Sequence, residues 1–256
     1  FPPFLLMGLR FTFAASILIW WFPIPRGFLK KIFIVSLIAN TLQYGITYTG
    51  LSMIDASAAV LLVQMEVIFG VVFAYFMLKE KPTTRSLIGI SIAFIGVYIL
   101  TGSPNLNGKF IGAALTVTGA GIWALGQVLV KPLSKEINPL ALVAWLALFS
   151  GPILITFSAI FDGNTINYFK TASLNSWIIA IYLGFIMQPI SYGCFYYVLK
   201  NNPLYKVLPI VTMGIPLTGL LAAIFILGEE PTKELFIGGA IILLGVVMIV
   251  FNKKKN

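Results

Sequence analysis

Apolar residues run through this chain in long blocks cut by short polar interruptions, and block length decides how they are read. A helix needs about 20 apolar residues to cross the hydrocarbon core of a bilayer. Nine blocks qualify, at about 4–22, 30–51, 56–78, 84–101, 110–131, 139–161, 176–199, 205–227 and 232–251. The connections hold the helix breakers and polar residues that belong there: Pro23 and Pro25, Asp55 with Ser57, Pro82, Pro104 with Asn105, Pro139, Asn201 with Pro203, and Pro231. The longest connection, 162–175, is polar, and no stretch is long enough for a soluble domain. The pattern predicts an all-α polytopic membrane protein whose function lies in or between its helices.

Composition narrows the function. Hydrophobic residues make up 59% of the chain and charged residues 10%, against roughly 25% charged in a soluble domain. Mean hydropathy is +0.98. That much apolar surface argues against a soluble enzyme, a nucleic-acid binder and a secreted disulfide scaffold. Cys194 is the single cysteine, so no intramolecular disulfide forms. The absence of histidine removes His-ligated metals and His-based acid–base chemistry. No cofactor or metal is expected. No phosphate-cradling glycine loop is present, so ATP-driven pumping within this chain is excluded and energy must come from a gradient.

The net charge of +9 is a topology signal before it is anything else. When the loops alternate between two faces, thirteen Lys and Arg fall on one and only Lys109, Lys170 and Lys233 on the other, with Arg10 inside the first helix. The basic face is cytoplasmic by this bias. It includes the 252–256 tail with Lys253, Lys254 and Lys255, a solvated anchor rather than a nucleic-acid signal. The expected location is the plasma (inner) membrane, multi-pass, with the C-terminus inside. The first residue is Phe1, and one further helix before it is expected, raising the count to ten.

A ten-helix chain invites a search for repeats. Residues 48–100 shifted by 149 positions fall on 197–249 without a gap. Leu78-Lys79-Glu80-Lys81-Pro82-Thr83 then meets Leu227-Gly228-Glu229-Glu230-Pro231-Thr232, Gly89 meets Gly238, and Gly96 meets Gly245. The first copy of the loop lies on the cytoplasmic face and the second outside, so the copies are related by inversion. Inverted repeats characterise secondary transporters.

With these motifs the chain resembles the drug/metabolite transporter superfamily, in particular the EamA family of ten-helix carriers. The pieces that carry the resemblance are the opening Pro2-Pro3-Phe4 to Leu9-Arg10-Phe11, the segment Ala58–Glu66, and the paired Glu-containing loops at Glu80 and Glu229. Within the family it looks most like the O-acetylserine/cysteine exporter group, through Gln64-x-Glu66, Tyr192-Gly193 and Val207-x-Pro209, although that group has a second Gln where this chain has Glu66. The resemblance implies two five-helix repeats: 1–101, lacking the first helix, and 110–251. It implies alternating-access carriage of a small-molecule substrate, most readily export of amino acids or related compounds. Uptake or exchange on the same scaffold is the alternative. It also makes the Gly89/Gly96 and Gly238/Gly245 helices peripheral supports.

Glu66 is the sharpest candidate, about ten residues into its helix, where a carboxylate is costly to ionise and is usually functional or paired. It reads either as a proton-coupling or substrate-amine site, or as a protonated acid bonding between helices. Gln64 lies about 200° round the helix from it and ranks lower. Asn40, Gln43, Tyr44 and Thr47 form a polar stripe at i, i+3, i+4, i+7, with Tyr48 beside it. Lipid cannot satisfy such a stripe, so it lines a cavity or joins helices. Gln188, Ser191, Tyr192, Phe195 and Tyr196 form a second stripe next to Pro189, and two Tyr-rich helices then face a central site. Trp123 and Gln127, at i, i+4, share a face that suits a zwitterion or ordinary packing. Pro209 and Pro216 are expected to break their helix as a hinge or gate, or to form a structural kink. Arg10 is expected to pair with Asp55, to attract a substrate carboxylate, or to snorkel to headgroups. Lys131 is expected to snorkel to the inner interface.

The expected partners are therefore a small-molecule substrate, membrane lipids and a coupling proton, with no nucleic acid, in a monomer or weak dimer. A membrane-embedded lipid-modifying enzyme is the main rival, and it lacks the cluster of His, Asp, Arg or Cys such chemistry gathers. A receptor or assembly subunit is a weaker rival. A channel would need a ring of repeated ligands, which is not visible.

Overall fold

A computed structural model describes residues 1–101, 108–163, 165–225 and 233–251. The chain is helical in this order: α1 (Pro3–Leu18), α2 (Leu29–Ser36), a π-helical segment (Leu37–Leu42), α3 (Gln43–Leu51), α4 (Ala56–Val63), α5 (Met65–Leu78), α6 (Thr84–Thr101), α7 (Phe110–Glu136), α8 (Pro139–Phe161), α9 (Thr165–Thr171), α10 (Leu174–Ile181), a second π-helical segment (Tyr182–Met187), α11 (Gln188–Asn201), α12 (Leu204–Phe225) and α13 (Lys233–Val250). Five helical stretches are long and apolar enough to cross a membrane: Pro3–Trp21, Ala58–Leu78, Phe110–Glu136, Pro139–Phe161 and Leu174–Asn201. Shorter apolar helices cover Thr84–Ile99, Leu204–Pro216 and Phe236–Val250. The protein is an all-helical, multi-pass membrane protein. The block at 30–51 is helical throughout, but its polar stripe keeps it out of the strongly apolar set. The loop holding Pro104 and Asn105, the second Glu loop with Glu229, Glu230 and Pro231, and the Lys253–Lys255 tail lie outside the described residues.

Local chemistry sets several helix ends. Pro3 opens α1 and Pro139 opens α8, at positions where a missing N–H costs nothing. The Asn138 side chain caps α8 by accepting from Leu140 N at 2.9 Å. Lys79 ends α5 in the left-handed region at φ 59°, and Glu80 N closes back onto Ala74 O at 3.1 Å. The Glu80 side chain then caps another helix. Its Oε2 accepts from Leu204 N at 2.6 Å, at the N-terminus of α12, where unpaired N–H groups favour a carboxylate. The conspicuous Glu of the repeated loop is thus a helix cap.

The chain divides into two compact units, and each draws on both halves of the sequence: Phe1–Tyr48 with Leu129–Asn201, and Thr49–Val128 with Asn202–Asn256. In the first, α1 packs along α8. Gly8 faces Ile155 and Gly151 faces Thr12, so the two helices run antiparallel at backbone contact. Met7, Phe11, Ala14, Ala147 and Leu154 fill the space beside them. In the second, α6 packs along α13. A Cβ added at Gly89 would lie 2.8 Å from Gly245 O, and one at Gly96 2.8 Å from Gly238 O. Lipid tails offer no hydrophobic drive to bring helices together, so small residues that permit close approach supply van der Waals contact instead. Val67, Ile90, Val97, Met213 and Ile242 pack round this pair.

Two expectations about helix ends and charges are corrected. Pro209 and Pro216 do not break their helix, because α12 runs through both from Leu204 to Phe225. Lys131 does not snorkel: only 5% of its surface is exposed.

Candidate functional site

The first unit gathers the tyrosines. Each of its two polar spans contains one π-helical segment, Leu37–Leu42 and Tyr182–Met187, and each segment ends immediately before a buried glutamine, Gln43 or Gln188. A π turn inserts an extra residue and re-aims the side chains that follow, and such turns collect at functional sites. The Gln43 amide nitrogen donates to Thr47 Oγ1 at 3.0 Å. The carbonyl oxygens of Gln43 and Gln188 are buried without a hydrogen-bond partner. Asn40, at the head of the expected stripe, joins helices instead, donating to Ser150 Oγ of α8 at 2.9 Å.

Tyr44 stacks on Tyr48 at 5.7 Å and meets Phe11 edge-on at 5.7 Å. Tyr192 lies edge-on to Tyr196 at 5.7 Å, and Tyr44 lies within electrostatic reach of both. The tyrosines of the two polar spans therefore form one cluster. Arg10 belongs to it, with its guanidinium carbon 5.7 Å from the Tyr192 ring centre and 6.0 Å from that of Phe11. Asp55 is held by Lys109 at 2.6 Å, so the acid expected to pair with Arg10 has a partner of its own.

The second unit holds Glu66. The span 58–78 is interrupted by a turn at Gln64, which separates α4 from α5. Val67 N bonds Gln64 O at 3.0 Å, three residues back, so the helix tightens there. Glu66, 6% exposed, follows this tightened turn. Gln64 has a structural task that explains its burial. Pro216 has no N–H, so the carbonyl four residues earlier, Thr212 O, loses its helical donor. The Gln64 amide nitrogen supplies one at 3.4 Å, while its own carbonyl oxygen has no partner. Trp123 is half-buried, and Gln127, one turn on, is 1% exposed with an unpartnered carbonyl oxygen.

The sequence carried no signal for the π segment at 37–42, whereas Pro189 marks the one at 182–187. The buried Trp145 indole N–H, without a partner, was also missed. A groove of about 640 Å³ in the first unit, bounded by Leu18, Leu140, Pro189, Ile190, Gly193 and Val198, is apolar and touches none of the candidate polar side chains. It suits an acyl chain rather than a polar metabolite.

Against known proteins, the family model described as the EamA-like transporter family matches residues 1–102 and 110–251. A protein of Escherichia coli (strain K12) named "Probable amino-acid metabolite efflux pump" is 29% identical over 98% of this chain and 86% of its own length. A Salmonella typhimurium protein of the same name is 28% identical over the same shares. A solved crystal structure, 18% identical, matches the fold with a TM-score of 0.83 over 98% of this chain and 89% of its own. The chain belongs to the EamA-like transporter family, which is a family of transporters and not of enzymes.

Proposed function

We propose that this EamA-family transporter is a gradient-driven carrier that exports amino acids or related small metabolites across the plasma (inner) membrane by alternating access, with Glu66 exchanging the coupling proton. The observation that carries the reading is the placement of Glu66. It is a buried carboxylate well inside a membrane-spanning segment, beside a local tightening of the helix at Gln64. Ionisable side chains at such places mark substrate and ion pathways and proton relays. The names of the Escherichia coli and Salmonella relatives support amino-acid compounds as cargo and outward transport as direction.

The architecture we propose is a pair of inverted repeats, 1–101 and 110–251. The glycine contacts support it. If a two-fold axis relates Gly89 to Gly238 and Gly96 to Gly245, any contact of Gly89 with Gly245 must recur between Gly238 and Gly96. Both contacts are present. The pair Gly8–Ile155 and Gly151–Thr12 is reciprocal in the same way. The proposed substrate-facing groups are Gln43, Tyr44, Tyr48, Gln188, Tyr192 and Tyr196 in the first unit, and Gln64, Glu66, Trp123 and Gln127 in the second.

Reconstitution into liposomes tests the reading. Vesicles loaded with a proteinogenic amino acid should accumulate the labelled form by counterflow, saturably, and an imposed pH gradient should drive net movement uphill. Loss of counterflow across the whole amino-acid panel overturns the cargo. Counterflow without a response to pH overturns the coupling.

A further inference from the structure

We infer that Arg10 is the anchor for a carboxylate group of the cargo, held within the tyrosine cluster of the first unit. This rests on the reading of the protein as a carrier and names the chemical group its site recognises. A guanidinium carries five N–H donors in a planar fork and cannot shed its charge. Arg10 uses almost none of them. Nη1 reaches only the Met7 sulfur at 3.9 Å, a weak acceptor, and Nε is buried with no acceptor at all. Among the described residues of the first unit no acidic side chain forms an ion pair with it, and the acid expected from the sequence, Asp55, is bonded to Lys109. Arg10 is half-buried, and a cation within a membrane span that lacks an ionic partner is retained where something binds to it.

The surroundings are those of an anion site. Tyr44, Tyr48 and Tyr192 lie within electrostatic reach of the guanidinium, and the Tyr192 ring sits beneath it. Phenol O–H groups donate to a carboxylate, while their rings stack against the cation and hold the fork in place. Arg10 stands about two turns from the start of α1, and that helix is pinned to α8 by the Gly8 and Gly151 contacts, so the fork is mounted on a rigid element. A planar guanidinium with two free edges matches a carboxylate through two parallel hydrogen bonds. An amine or a neutral sugar offers no such complement. The cargo class is therefore carboxylate-bearing metabolites, amino acids among them.

Two arms test this. The first needs no knowledge of the cargo. The thermal unfolding of the protein in lipid nanodiscs is followed against sodium propionate, with sodium chloride at equal ionic strength as control. Wild type should be stabilised saturably by propionate, Arg10→Gln should lose the response, and Arg10→Lys, which keeps the charge without the fork, should weaken the apparent affinity about tenfold. An equal response in wild type and Arg10→Gln, or no response in wild type, overturns the site. The second arm uses wild type alone and so does not depend on a variant folding. In counterflow, the carboxamide of the best-transported amino acid should compete at least about 30-fold more weakly than the amino acid, as expected when a charged partner is removed from a hydrogen-bonded pair. Competition by the amide at equal strength overturns the inference. If no amino acid is transported while propionate still binds through Arg10, the cargo reading fails and the carboxylate site stands.

Discussion

Glu66 is a lone carboxylate buried in an apolar span, the kind of group that carries protons through membranes. Glu66→Gln keeps the shape of the protonated form and cannot release the proton. It should abolish uphill, pH-driven transport in proteoliposomes and leave exchange of labelled for unlabelled substrate at least partly intact; persistence of pH-driven accumulation places coupling elsewhere. Gln64 calls for a different test, because its amide repairs α12 at Thr212 O. Gln64→Leu should cost about 1–3 kcal/mol, the range for a buried group left unpaired. In a Pro216→Ala background the residue at 216 has its own N–H to give, so most of that cost should vanish, which thermal unfolding of the double-mutant cycle measures. Glu66 was legible from the sequence because a lone carboxylate stands out in an apolar block. The orphaned carbonyl at Thr212 was legible in principle, four residues before a proline. That Gln64 fills it was not, since the partners are 148 residues apart.

Among whole elements, the glycine-bearing helices have the clearest consequences. At Gly89, Gly96 and Gly245 an added Cβ comes within 2.8 Å, 2.7 Å and 2.5 Å of backbone atoms of the opposite helix, too close for any side chain to yield. The helices must then part. Gly89→Ala and Gly245→Ala should each lower stability by about 1–3 kcal/mol, the usual cost of overpacking. Combined, they should cost less than their sum, because one separation relieves both clashes. Gly214→Ala is the control. Nothing lies within 4 Å of the added Cβ, so the better helix propensity of alanine should leave stability unchanged or raise it by up to about 1 kcal/mol. Thermal unfolding in one detergent ranks all four variants. The packing role of these glycines was readable from their seven-residue spacing on one face. The π segment at Leu37–Leu42 was not, because its residues, Leu-Ile-Ala-Asn-Thr-Leu, carry no breaker and suit an ordinary α-helix equally well. Of the polar stripe drawn on ideal α geometry, Asn40 takes the helix-joining role, bonding to Ser150 Oγ of α8.

For the molecule as a whole, periodicity and composition reached the all-helical membrane fold, and the 149-residue offset led to the repeats proposed above. The compact units cut across those repeats, joining 1–48 to 129–201 and 49–128 to 202–256. Each contains a helix packed on a helix from the other half of the chain, α1 on α8 and α6 on α13. Hydropathy reports how strongly a helix prefers lipid and says nothing of which helix it meets, so this exchange was out of its reach. Orientation is a different matter, because it is set by Lys and Arg in the loops rather than by helix pairing. Lys81 and Lys135 fall on the basic face and Lys170 on the other, and all three are exposed. With the exposed Cys194 replaced by Ala, single cysteines at these positions form a topology test. Lys170→Cys should react with a membrane-impermeant maleimide in intact cells. Lys81→Cys and Lys135→Cys should react only after the membrane is opened. The reverse pattern would turn the proposed exporter inside out, with Arg10, two turns into α1, approached from the cytoplasm instead of the outside. Labelling from both sides at one position would show two orientations in the same membrane, which a bias of thirteen basic residues to three does not permit.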